Sequence, residues 1–98
     1  MGKVLISGSP TSKSTLVAVT LSASGWSNSQ YTIEHKDITE TNVIEMFPGI
    51  GLSDSASDAL VKSDIVLVSQ TIGQMVIKAS AKVPTVDVTV LLVIRKDT

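Results

Sequence analysis

Lys3-Val4-Leu5-Ile6-Ser7-Gly8-Ser9-Pro10 opens the chain with a short aliphatic run, a glycine and a serine–proline pair. An apolar run of this length closed by glycine reads as a buried strand. Serine caps helices well and proline suits the first helical position, so the stretch predicts a helix directly after the strand. Leu16, Val19, Thr20 and Ala23 then fall on one helical face, and Gly25 ends it. A strand feeding a helix is the unit of an alternating β/α fold.

The rest of the chain is read on that pattern. Gln30 to Lys36 alternates as a strand, Thr39 to Phe47 suits a helical turn, and Pro48-Gly49-Ile50-Gly51 is loop. Ser53 caps a short helix with Asp54 near its positive end and Lys62 near its negative end. Asp64-Ile65-Val66-Leu67-Val68-Ser69 reads as a buried strand, with Asp64 capping or turning the chain before it. Ile72, Met75, Val76 and Ala79 recur at helical spacing. In the last strand, Val86, Val88, Val90, Leu92 and Ile94 form an apolar face, and Asp87, Thr89, Leu91 and Val93 a mixed one.

These readings predict strands at 3–8, 29–36, 64–69 and 86–94, and helices at 11–24, 53–62 and 72–82. They combine into one α/β domain over residues 1–98: three α/β/α layers around a four-stranded, mostly parallel sheet of order 2-1-3-4. Val4, Ile6, Leu16, Val19, Ile65, Leu67, Met75, Val76, Val88 and Val90 are the expected core. With no closing helix, the last strand is expected at a sheet edge, in a monomer or a weak homodimer paired through that edge.

Composition removes several functions. Eight basic against nine acidic residues, net charge −1, give no reason to expect nucleic acid or an acidic membrane surface. The longest apolar run, Val90 to Ile94, is too short to span a bilayer. Strand-like residues begin at once, with no leader, so a cytoplasmic location is expected. There is no cysteine and one histidine, His35, which leaves out thiolate metal sites and cysteine nucleophiles and starves a catalytic triad. No metal and no cofactor is expected. Serine and threonine make up about a quarter of the chain, even inside predicted helices where their hydroxyls compete for the backbone. A computed sequence tolerates that composition as readily as a natural one.

In an open parallel sheet, ligands sit beyond the strand ends, here at Ser7 to Thr15. Helix-terminal amides favour an anion there, with Gly8, Ser9, Thr11, Ser12, Lys13 and Ser14 as the expected binding residues. Helix capping explains Ser9 and Pro10 equally well without a ligand. The spacing approaches a phosphate-cradling P-loop, but serine stands at both required glycines (Ser7 and Ser12) and proline removes an amide.

Two family resemblances attach to this loop. Ser9-Pro10-Thr11-Ser12 with Thr15, then Gly49-Ile50-Gly51-Leu52, the helix from Ser53 and Asp64 to Ser69, resembles the fructose-type IIB domains of the bacterial sugar phosphotransferase system. That resemblance implies a phosphocarrier whose reactive cysteine position is held here by Ser9. An unassisted serine hydroxyl does not relay phosphate as a thiolate does, so the carrier is expected to be inactive. Ile6-Ser7-Gly8-Ser9-Pro10 with Ser14-Thr15 resembles the phosphate-binding start of NADPH-dependent FMN reductases, which implies a flavodoxin-like, flavin-binding fragment. The later flavin loops are missing: Gln70-Thr71-Ile72-Gly73 replaces the expected proline and aromatic.

The remaining candidates read as structural. His35 is a strand-end residue; Asp37, Glu40 and Glu45 are surface charges; Met46, Met75 and Phe47 fill core or loop packing. Trp26 and Tyr31 lie away from the loop. The sequence therefore points to a non-catalytic α/β scaffold, engineered or otherwise, with at most weak anion binding at its first loop. The inactive IIB-like phosphocarrier and the flavin-binding fragment are its alternatives.

Overall fold

The structure is a computed structural model that describes residues 14–96. It contains six strands and one α-helix: β1 (Ser14–Leu21), β2 (Gln30–Glu34), β3 (Ile44–Pro48), α1 (Asp54–Ser63), β4 (Ile65–Thr71), β5 (Gln74–Ala79) and β6 (Val88–Arg95). A 3-10 turn at Ala23–Gly25 comes after β1. The strands form two three-stranded sheets, β1-β6-β3 and β2-β5-β4, and every pairing in them is antiparallel. The parallel 2-1-3-4 sheet, the three α/β/α layers and the flavodoxin-like arrangement are therefore not the fold of this chain.

Two predicted helices are strands instead. In Ser14–Leu21 the helical spacing of Leu16, Val19 and Thr20 competes with an alternation of Thr15, Val17, Val19 and Leu21. The alternation wins. Its residues are mostly β-branched, stiff at χ1 and suited to a pleated surface. The helix expected over 72–82 fails in the same way. Ile72 and Gly73 form a two-residue turn between β4 and β5, with Gly73 at φ 86°, where glycine carries no steric cost. Met75, Ile77 and Ala79 then point inward as alternate strand residues, and Ile72 stands in solvent. The helical turn expected from Thr39 to Phe47 gives way to β3 in its second half.

The helix from Ser53 forms as expected. The Ser53 hydroxyl accepts from the Ala56 amide at 3.2 Å, and Asp64 closes the helix in the left-handed region at φ 51°. The Ser80 and Ala81 amides donate to the carbonyls of Asp64 and Ser63, satisfying the helix end. Before β2, Asn28 and Ser29 both take positive φ between reciprocal Ser27 and Gln30 backbone bonds, the geometry of a type I′ turn.

The two sheets share one core. Val88, Val90, Leu92 and Ile94 of β6 are fully buried and meet Ile33, Met75 and Ile77 of the second sheet, with Leu21, Ile38 and Ala56 closing the cluster. Sandwiching explains the alternation along β6, where one side of the strand faces the other sheet. Of the expected core, Met75, Val88 and Val90 are buried, while Val19, Ile65 and Val76 are only partly so. Leu16 and Leu67 are exposed, and Val4 and Ile6 lie outside the described residues. The strand at Ile65 is not a buried central one: β4 is an edge, and Val66, Leu67 and Val68 all stand in solvent. Conversely, β6 is the middle strand of its sheet, so the free edge expected of the last strand is not there.

Candidate interaction face

Of the loop residues expected to hold an anion, Gly8, Ser9, Thr11, Ser12 and Lys13 lie outside the described residues. Ser14 is the first residue of β1, opposite Arg95. Residues 14–21 form a strand rather than a helix, so they do not supply the helix-terminal amides expected to bind an anion. His35 is held locally, its Nδ1 accepting from the Asp37 amide at 3.1 Å. The Asp37 carboxylate accepts from the Thr15 hydroxyl at 3.0 Å, and Glu45 pairs with Arg95. Glu40 stands in the link between β2 and β3. These carboxylates are thus dispersed, and among the described residues no group of three side chains is placed to hold a metal ion. Trp26 and Tyr31 stack edge to face at 5.3 Å, and Gly25 sits so close to the Tyr31 ring that a side chain there would strike it.

The fold does assemble an apolar surface. Register places Leu16 opposite Val93 and Val93 opposite Glu45; the next outward-facing row is Ala18, Leu91 and Phe47. Because Val90, Leu92 and Ile94 fill the core, these alternate residues face away from it. Leu16 is 68% exposed and Phe47 46%, with Leu91 and Val93 half-buried between them. The rim is polar. Thr20 and Thr89 share a hydrogen bond at 3.0 Å on one side, and the Arg95 guanidinium contacts the Glu45 carboxylate at 2.7 and 3.1 Å on the other. An apolar centre with a polar, charge-balanced rim is the surface pattern of an interface.

The mixed face of the last strand is legible in the sequence, whereas Leu16 and Phe47 read there as interior. No alternation within one strand reports which neighbours it receives. A second feature is a cleft of about 180 Å³ between α1 and the link to β6, bordered by Asp58, Lys62, Lys82, Val83, Pro84 and Val86. Lys62 is engaged there by Asp58 at 3.0 Å, on the exposed side of the helix. No helix among the described residues is long and apolar enough to cross a membrane. Comparison with known family models, curated proteins and solved structures finds no match, so the function must be read from this face itself.

Proposed function

We propose that the chain is a non-catalytic assembly module that docks through the outer face of the β1-β6-β3 sheet. The observation that carries this is the two-row apolar surface of Leu16, Ala18, Leu91, Val93 and Phe47. An antiparallel sheet keeps one face for the core and leaves the other polar when it meets water. Here the second face is apolar as well, which suits contact with protein. The occupant is a second copy of the chain. Glu45 and Arg95 neutralise one another at the rim and the net charge is only −1, so two such faces meet without repulsion.

Sedimentation equilibrium tests the reading. The average mass is expected to rise toward the dimer with concentration, and Leu16→Glu with Phe47→Glu to hold the chain monomeric with its circular dichroism unchanged. A parent chain that stays monomeric into the millimolar range overturns it.

A further inference from the structure

The cleft beside α1 encloses about 180 Å³ between two walls of different origin. Ser55, Asp58, Ala59 and Lys62 stand at helical spacing along one stripe of α1 and form the first. The second is the segment from Lys82 to Val86, which runs from β5 toward β6 without joining a ladder. Both ends of that segment are clamped. The Ser80 and Ala81 amides donate to the carbonyls of Asp64 and Ser63 at 3.1 and 3.0 Å, and the Asp87 carboxylate accepts from the Ala23 amide at 2.8 Å. Pro84 fixes one φ angle between the clamps. Pro84 is buried, and Ala59 and Val86 pack against the main core, so the inner part of the cleft is apolar and shaped before any ligand arrives.

The mouth has one positive charge to spare. Asp58 is engaged by Lys62 at 3.0 Å, while Lys82 makes no ion pair among the described residues. Two lysines against one aspartate leave the cleft at +1, on a chain whose net charge is −1. The amides of Lys82, Val83, Thr85 and Val86 donate no backbone hydrogen bond among the described residues, so this wall adds main-chain donors beside the lysine. We infer that the cleft binds a small apolar monocarboxylate of about the size of benzoate, its apolar body against Ala59, Pro84 and Val86 and its carboxylate at Lys82. Size sets the upper bound: a closed apolar space of about 150 Å³ admits benzene, whereas drug-sized ligands occupy about 300 Å³ or more. One unmatched ammonium, a compact point charge, suits a single negative charge better than a dianion. The cleft shares no residue with the outer face of the β1-β6-β3 sheet, so the assignment stands whether or not that face self-associates.

Titration of the unmodified chain with sodium benzoate at constant ionic strength, followed by amide chemical shifts, tests this. Saturable shifts are expected at Ala59, Lys82, Val83, Thr85 and Val86, with a dissociation constant on the order of 1 mM for so small a ligand in an open site. Benzamide keeps the ring and lacks the charge; acetate keeps the charge and lacks the ring. Each is expected to bind at least threefold more weakly than benzoate. Lys82 is exposed, so Lys82→Glu should fold normally and weaken benzoate at least threefold. Lys78→Glu, at an exposed position of β5 that does not border the cleft, should leave binding unchanged and so controls for net charge. Shifts that never saturate, or that spread evenly over the chain, would overturn the assignment. So would equal affinity for benzoate and benzamide, or equal effects of the two lysine substitutions.

Discussion

The Gln70 carboxamide nitrogen lies 2.8 Å from both the backbone oxygen and the side-chain Oδ1 of Asn42, tying the edge strand β4 to the link between β2 and β3. The same nitrogen reaches the Thr39 carbonyl at 2.7 Å. Asn42 is buried; its side-chain nitrogen donates to the Asp37 carbonyl, and its Oδ1 also accepts from the Thr39 amide. This cluster holds the crossing from one sheet to the other, where no regular ladder is available to satisfy the backbone. Gln70→Leu removes the donor while keeping bulk. Urea unfolding is expected to show a loss of about 1–3 kcal/mol, the cost of leaving buried acceptors unmet. An unchanged midpoint would show that the link is held without Gln70.

Burial separates two leucines that the sequence treats alike. Leu92 is fully buried in the middle of the first sheet, whereas Leu67 is 53% exposed on an edge. Leu92→Ala is expected to cost about 2–5 kcal/mol, most of the margin of a domain this size. Leu67→Ala should stay below about 1 kcal/mol because little transfer energy and no closed cavity are involved. Thermal melts of the two variants side by side give the comparison. Equal losses would contradict an edge position for β4.

Gly25 carries a packing requirement rather than a conformational one. A Cβ there would lie 2.5 Å from the Tyr31 ring, which is itself fixed by Trp26 and by the Ser22 amide at 3.2 Å. Gly25→Ala is expected to displace the ring and cost about 1–3 kcal/mol, as overpacking does. Near-ultraviolet circular dichroism should change with it, since both aromatic rings report on that contact.

Ser53 caps the only helix among the described residues that is longer than a single turn. Ser53→Ala removes the acceptor for the Ala56 amide and is expected to lower stability by about 0.5–2 kcal/mol; Ser53→Asp should restore it. A destabilisation that aspartate does not rescue would mean the hydroxyl acts otherwise than as a cap.

Local chemistry is legible in the sequence wherever one segment settles its own conformation. Ser53, Asp54 and Lys62 announce α1, and the aliphatic segments around Ile33, Ile65 and Val90 announce strands, because capping, dipole and β-branching act within a few residues. For Ser14–Leu21 and Gln74–Ala79 the same residues satisfy a helical and an alternating period, and local propensity differs by too little to choose. Pairing chose. Each segment found an open ladder, β1 against β6 and β5 between β2 and β4, and the backbone bonds and burial gained there outweighed the propensity difference. The interaction face is a consequence of that choice. Leu16, Leu91 and Phe47 are brought to one surface by register between strands far apart in the chain, and no single segment encodes which residue will stand opposite which.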